Sequence, residues 1–583
     1  MKDAPEKQAD DSAQTVKVWL LWAVLIALIA LVWSNGLHGE FTYDDKLEVV
    51  GNRTIRMLSE WGVVASYNPA RVFVIGSYAI NYHYAGADPF LYHMVDVAIH
   101  MVCAGLAMLF VSTLARSIGV ANHLRVGFVS ALLWSLHPLT TEAVTYTTGR
   151  SEQLVALFGL WACWLWTRWL VERERSLWIT AWLGVALACL CKENAVVIPA
   201  VFLVIDIALS SRQTTKGRPS ILRRTAPYLP GLFMLIFAFG LRLKLHGVLT
   251  TPTPMRDLLS QVMTEAIVTW RYLFLSVLPI GQTVFHDQAE VGVTPLSLLA
   301  LVGMLSVVAF AVVRRSRNLF LSVAVGWFLL FLAPTFIVPL KETMAEHRAF
   351  IGLLGVAWSV AWLLELLGNR PRQVVTFVIV AALGLATVQR NSVWSTEVTL
   401  WEEATQRSPE SAEAWYGFGE AQRYTLANPE LPEAEADRLN PVSAFSRAVE
   451  LDPEYKEAWN KLGISQAELG NTDVAIQAWQ EALRIDPQYC KPHTNWGKAL
   501  AQMGRNVESL EEFQSALTWC PDNATAHYFA GLLFDQRMND VEKARFHYET
   551  LLEIEPTFGC PFGLAGGQCV AEEVRQRILE LTW

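Results

Sequence analysis

The sequence is poor in charge: Lys, Arg, Asp and Glu make up 17% of its 583 residues, against 53% hydrophobic residues. An ordinary soluble domain carries about 25% charged residues, so the balance points to a membrane protein. No basic cluster with interleaved aromatics occurs, which argues against nucleic acid as a partner. Cysteine is scarce, eight in all, and no spacing matches a metal site. The apolar run Val18–Val32 lacks a small-x-small cleavage site and ends in Trp33-Ser34-Asn35-Gly36. It reads as a retained first span rather than a removed signal.

What charge there is divides into two halves. Residues 1–389 hold 30 Lys+Arg and 24 Asp+Glu, a net of +6, whereas residues 390–583 hold 16 and 31, a net of −15. A basic apolar half joined to an acidic polar half predicts a membrane body followed by a water-facing domain. A bilayer core needs about 20 apolar residues as helix. Eleven spans are predicted: 17–37, 93–114, 124–137, 153–170, 177–191, 195–210, 227–245, 295–313, 319–338, 350–367 and 373–389. The apolar stretch Ala266–Leu278 carries Arg271 and is expected to be re-entrant or interfacial. Residues 1–16 form a cytoplasmic tail, 17–389 the membrane domain with a first outer loop at 38–92, and 390–583 the C-terminal domain. The basic runs at 173–175, 212–224, 314–317 and 370–372 fall on one side if the spans alternate, as do Lys2, Lys7 and Lys17. Positive charge favours the cytoplasm, so the C-terminal domain is expected outside it, in periplasm or in the lumen of the endoplasmic reticulum.

That domain is repetitive. Pro453, Pro487 and Pro521 are spaced by 34 residues, the period of the tetratricopeptide repeat (TPR). Pro409 and Pro556 extend the frame, and the longer first step contains an insert near Thr425–Asn440. Ten residues after each of the first four prolines stands a glycine (Gly419, Gly463, Gly497, Gly531), and six residues after each a ring (Trp415, Trp459, His493, His527). Such repeats stack into an α-solenoid whose concave face suits an extended peptide, or braces a partner subunit. Cys490 and Cys520 open and close one repeat, and Cys560 and Cys569 flank a glycine-rich tail. Either pair is compatible with a disulfide in an oxidising compartment, although free packing thiols are the expectation.

Ionisable clusters at span ends on the outer side carry the functional reading: Asp44-Asp45, the segment His137–Glu152, Lys192-Glu193 and Glu346-His347-Arg348. Each alone solvates a helix end as readily as it does chemistry; four together point to one site, because such residues are costly in a membrane body. Adjacent carboxylates suit a general base, a sugar clamp or a metal site. Were a hydroxyl to attack an anomeric carbon with inversion, one carboxylate would take its proton on the face opposite a departing phosphate. That phosphate requires cations, for which Arg150, Lys192, His347 and Arg348 are candidates.

The runs YDDKLEVVGN at 43–52, SYAINYH at 77–83, LHPLTTEAVTYTTGRSE at 136–152, CKENAVVIP at 191–199 and EHRAF at 346–350, followed by TPRs, resemble the transmembrane and TPR-containing family. Order and spacing match over nearly the whole chain. The resemblance implies an all-α fold, a GT-C-like transmembrane bundle followed by a TPR α-solenoid. It also implies an O-mannosyltransferase that takes mannose from dolichyl phosphate, or a bacterial polyprenyl phosphate, to Ser/Thr of client proteins. By that resemblance Asp44 and Asp45 are the catalytic acids, with Asp44 as base and Asp45 organising the site or holding sugar. Arg150, Lys192, His347 and Arg348 take the donor phosphate, while Glu142, Glu152, Glu193 and Glu346 hold sugar hydroxyls or orient those cations. No cofactor and no metal ion is implied, although Asp44-Asp45 could bind one. The partners expected are a lipid-linked sugar donor and a protein or peptide held by the TPR groove. The chain departs from the family at Arg71-Val72, where Arg-Pro is usual, and after the EHR run, where Tyr and Pro give way to Phe350 and Gly352.

Three other readings compete. A membrane-anchored TPR scaffold explains the repeats but not the clusters. A GT-C enzyme with a glycan or lipid acceptor keeps the donor chemistry. A transporter would place charges near mid-membrane, and here they sit at span ends.

Overall fold

The computed structural model describes residues 3–210, 225–234, 236, 256–314, 318–428, 431–556, 558–559 and 569–581, with side chains from residue 16 onward. Among them every regular element is helical. The chain divides between Thr396 and Glu397 into two units.

The first unit contains α1 (Asp3–Trp33), α2 (Trp61–Tyr67), α3 (Val72–Ala85), α4 (Pro89–Ile118), α5 (His123–Ser135), α6 (Thr141–Val144), α7 (Arg150–Glu172), α8 (Arg175–Cys189), α9 (Ile198–Ser210), α10 (Leu258–Val277), α11 (Pro295–Arg314), α12 (Leu319–Leu332), α13 (Leu353–Leu364) and α14 (Asn369–Val393). Among the described residues seven helical stretches are long and apolar enough to cross a bilayer: 16–38, 89–118, 147–172, 193–210, 295–314, 319–336 and 369–393. This is a multi-pass membrane protein. Seven of the eleven expected spans match these stretches, and three are corrected. The stretch 227–245 falls largely outside the described residues. The apolar runs at 124–137, 177–191 and 350–367 form the shorter helices α5, α8 and α13, of 13, 15 and 12 residues. At 1.5 Å per residue these span about 20 Å, less than a bilayer core of about 30 Å. Each stops, or starts, beside a polar turn that carries candidate site residues. Ala266–Leu278 is the latter part of a 20-residue helix, α10. Its first turns carry no apolar signal because Gln261 and Glu265 are polar yet buried, bonded to the backbone and hydroxyl of Thr335.

Close helix approach depends on small residues, as expected where lipid is as apolar as Leu. A Cβ on Gly127 of α5 would lie 2.6 Å from Met108 O of α4, and one on Gly355 of α13 would lie 2.6 Å from Ala324 O of α12. Buried indoles satisfy carbonyls at helix ends: Trp33 donates to Ser135 O, Trp134 to Phe350 O and Trp327 to Ile351 O. The last two tie the end of α5 and the middle of α12 to the segment just before α13, where the EHR residues sit.

Among its described residues the second unit contains four helix pairs, Ala412–Leu426 with Pro441–Leu451, Lys456–Glu468 with Thr472–Ile485, Cys490–Gln502 with Asn506–Trp519, and Ala524–Leu533 with Val541–Ile554, with the short helix Glu433–Ala436 inside the first. Glu397–Arg407 precedes them and Val570–Leu581 follows. Each second helix ends just before a proline of the repeat frame, which cannot continue it. A Cβ on Gly419, Gly497 or Gly531 would lie 2.7 Å from the ring of Phe445, Phe513 or Tyr548, and one on Gly463 would strike Trp479. The glycine thus receives an aromatic ring from the second helix of its pair. The ring six residues after the proline has its own reason: Trp415, Trp459 and His527 bond through ring nitrogen to the carbonyls of Pro409, Pro453 and Pro521. Cys490 and Cys520 are joined in a disulfide, with Cα atoms 6.1 Å apart, which corrects the expectation of free thiols. Cys569 is disulfide-bonded as well, and Cys560 lies outside the described residues.

Candidate active site

The two aspartates diverge at a strained turn. Tyr43 has φ +52°, the left-handed region that a non-glycine residue enters at a cost. Beyond it Asp44 is exposed and Asp45 is buried. Asp45 accepts hydrogen bonds from Thr148 N (2.7 Å) and Thr148 Oγ1 (2.6 Å), with longer ones from the amides of Thr147 and Thr42. It therefore caps the start of the helical stretch 147–172, where free N–H groups favour an acid. Burial nonetheless pushes its carboxyl up to about 7. Asp44 keeps its carboxylate at the surface, beside Tyr43 and the buried Tyr146 ring.

The segment 136–152 folds back on itself because Gly149 has no side chain: a Cβ there would lie 2.6 Å from Glu142 O. This crossing brings Glu142, on α6, beneath the start of α7. The Glu142 carboxylate meets His347 twice, at Nδ1 (2.5 Å) and at the backbone N–H (3.1 Å). Burial, then the charge of Glu346, raises Glu142 to about 7, while burial and the positive charge of Lys192 hold His347 down to about 3. The imidazole is accordingly neutral, and its Nε2 makes no hydrogen bond among the described residues.

Glu152 and Lys192 form an ion pair of 2.8 Å, and Asn194 donates to the same carboxylate. Arg348 donates to the carbonyls of Glu342 and Thr343 and is only half-buried. Tyr43 donates to the Glu342 carboxylate. Asp44, Glu142 and Glu342 all act on Tyr43, and Lys192, Glu152, Arg348 and Glu342 all act on His347. The turn at 43–45, the segment 136–152, Lys192 and the EHR residues therefore meet at one place.

Three candidates stand apart from an open site. Arg150 is fully buried, with Nε on Asp96 (2.5 Å) and its other nitrogens on Ser77, Asn81 and Tyr92 O. The rings of Tyr78 and Tyr92 face its guanidinium. With every nitrogen engaged in this way, it braces α3, α4 and α7 rather than offering a donor to a phosphate. Glu346 is sealed beneath the surface, bonded by Gln282, Thr283 N and His286; although burial opposes it, the His286 hydrogen bond and the Arg390 charge hold it below the usual carboxylate range. Glu193 turns outward to an exposed ion pair with Arg71.

Several participants escaped the sequence reading. Asp96 and His286 had no motif around them. Glu342 had a faint one, because Lys341-Glu342 repeats the dipeptide at 192–193 just ahead of the EHR run.

Comparison with known proteins follows the same division. Residues 91–241 match the family model described as dolichyl-phosphate-mannose-protein mannosyltransferase, and residues 467–504 match a TPR model. Protein O-mannosyl-transferase F38B6.6 of Caenorhabditis elegans is 22% identical over 459 residues, covering 74% of this chain and 63% of its own. Protein O-mannosyl-transferase TMTC3 of Homo sapiens is 23% identical over 525 residues, covering 78% of this chain and 54% of its own. The chain thus spans a little over half the length of these relatives. Among solved structures, the thermophilic TPR protein TTC0263 of Thermus thermophilus is 19% identical over 35% of this chain and 94% of its own, with a TM-score of 0.25. The resemblance to the transmembrane and TPR-containing family is borne out.

Proposed function

We propose that this chain, similar to protein O-mannosyl-transferases, moves mannose from a polyprenyl-phosphate donor to Ser/Thr hydroxyls of proteins that its TPR unit holds. The observation that carries this reading is the exposed Asp44 carboxylate in a cluster whose cations, Lys192 and Arg348, retain exposed surface. Asp44 accepts the proton of the acceptor hydroxyl as its oxygen bonds to the anomeric carbon. The bond from that carbon to the phosphate oxygen breaks, and polyprenyl phosphate leaves with the electron pair. Lys192 and Arg348 offset the growing phosphate charge, one as a point charge and the other as a fork. His347 donates from Nε2–H when protonated Glu142 donates a hydrogen bond to Nδ1. Asp45 holds the turn, and Arg150 braces the helix beneath it.

An apolar groove of about 640 Å³ between α9, α11 and α12 suits the isoprenoid chain; Val204, Ile207, Val308, Val323 and Leu329 line it. Phe336 and Ile337 also line it, and from them the chain runs into the segment bearing His347 and Arg348. The Cys490–Cys520 disulfide supports an oxidising, extracytoplasmic location for the TPR unit.

The test is transfer of mannose from synthetic polyprenyl-phosphate mannose to Ser/Thr peptides by the purified protein, read by mass spectrometry. Asp44→Asn should lower the rate about 10³-fold, within the usual range for a general base. Transfer at the wild-type rate in that variant would remove Asp44 as the base. A scaffold would instead keep its cellular role in Asp44→Asn and lose it when residues 400–583 are deleted.

A further inference from the structure

We propose that Tyr43 and Glu342 are positioning residues: their contact latches the turn that carries the acid to the segment that carries the cations. This rests on the reading of the site as a glycosyl-transfer centre.

Nothing in the transfer chemistry requires a phenol at position 43, yet its placement is specific. The Tyr43 hydroxyl donates to the Glu342 carboxylate at 2.5 Å, joining two turns 299 residues apart. Tyr43 also holds a left-handed backbone conformation, φ +52°. A residue with a β-carbon keeps such a conformation only when its surroundings over-determine it, and the side-chain contact supplies that constraint. Burial, and after it the charge of Glu342, raises the phenol well above its usual range, so it remains a donor throughout the neutral region.

Both ends of the contact are coupled to proposed chemical groups. On one side Asp44 follows Tyr43 directly, and its carbonyl accepts from the amides of Leu47 and Glu48, so the turn moves as one piece. On the other side the Glu342 and Thr343 carbonyls accept from Arg348. The latch therefore sets the separation between base and phosphate cation, two groups that act on opposite faces of the sugar. A misplacement of about 1 Å at such a centre can cost about a hundredfold in rate; a single lost hydrogen bond should allow part of that.

The experiment uses the full-length protein in nanodiscs with polyprenyl-phosphate mannose and a Ser/Thr peptide, together with hydrogen exchange of the backbone at 338–349. Tyr43→Phe and Glu342→Ala should each lower kcat about tenfold and leave both KM values within about twofold. Glu342→Gln, which still accepts from the phenol, should retain most of the rate. The double variant Tyr43→Phe/Glu342→Ala should be no slower than the poorer single one, because the two remove the same contact. Exchange at 338–349 should rise severalfold in Tyr43→Phe. Wild-type kcat in the single variants, losses that multiply in the double one, or unchanged exchange would each overturn the latch. The exchange readout separates this from the underlying reading. If no sugar is transferred by any form, or Asp44→Asn matches wild type, the transferase reading fails, while the exchange result still decides the latch.

Discussion

The two units encode their structures in opposite ways. In the TPR unit the bonds that shape each repeat join near neighbours: Trp459 to Pro453 six residues away, and the Gly497 position to the Phe513 ring sixteen away. In the membrane unit the site is assembled from Tyr43 with Glu342, Glu142 with His347 and Arg150 with Asp96, pairs separated by 299, 205 and 54 residues. Short-range bonds recur at fixed offsets and can be read from one sequence. Long-range ones leave no period, so only the residue types are visible beforehand and not their partners.

The difference can be broken at either end. The largest effect is expected from Arg150→Ala in the membrane unit. It leaves Asp96 as a buried charge without its main partner and should cost about 3–5 kcal/mol, seen as thermal unfolding at lower temperature or loss of folded protein. Arg150→Met with Asp96→Leu removes both charges and should recover most of that loss. Recovery would mark the pair as a brace; continued inactivity in a stable double variant would return Arg150 to the chemistry. In the TPR unit Gly497→Val forces a side chain into the Phe513 ring and should cost about 1–3 kcal/mol by denaturant unfolding, with the transfer rate at low temperature little changed.

A pH profile sharpens the comparison within the site. Burial and the Glu346 charge raise the Glu142 carboxyl to about 7. Below that pH Glu142 donates to His347 Nδ1, and His347 Nε2–H is the donor that the proposed function assigns to the phosphate. Above it the carboxylate accepts a hydrogen bond from Nδ1–H and Nε2, without its proton, becomes an acceptor, so donor KM should climb by up to about tenfold per pH unit above 7. Glu142→Gln, which always offers an N–H to Nδ1, should flatten that limb. A wild-type profile with no limb near 7 would remove the pair from donor binding. The smallest effect belongs to the exposed Arg71–Glu193 pair, whose side chains are 30% and 57% exposed. Arg71→Ala should change stability by less than about 1 kcal/mol.

The molecule is unevenly legible in its sequence. The helical class, the repeat frame and the polar clusters at helix ends were legible because each rests on residue type and spacing. The number of full spans was not, because apolar composition does not say where a helix stops; α5, α8 and α13 end or begin at turns that serve the site. Arg150 was legible as a charge in a costly place but not as a brace, since its partner Asp96 lies within α4 among apolar residues. The Cys490–Cys520 disulfide was geometrically open from the frame, yet packing thiols have the same composition.

What the sequence by itself determined is what hydropathy and short periods encode: a multi-pass apolar body, an acidic array of 34-residue repeats, and the turns on which chemistry could reside. Only the tertiary structure decided which charges face one another. It sent Asp44 outward and Asp45 inward, enclosed Arg150 and Glu346, and brought Tyr43 to Glu342. The physical reason is that a charge near a membrane body must be paired or hydrogen-bonded wherever the fold supplies a partner, and that partner lies tens to hundreds of residues away along the chain.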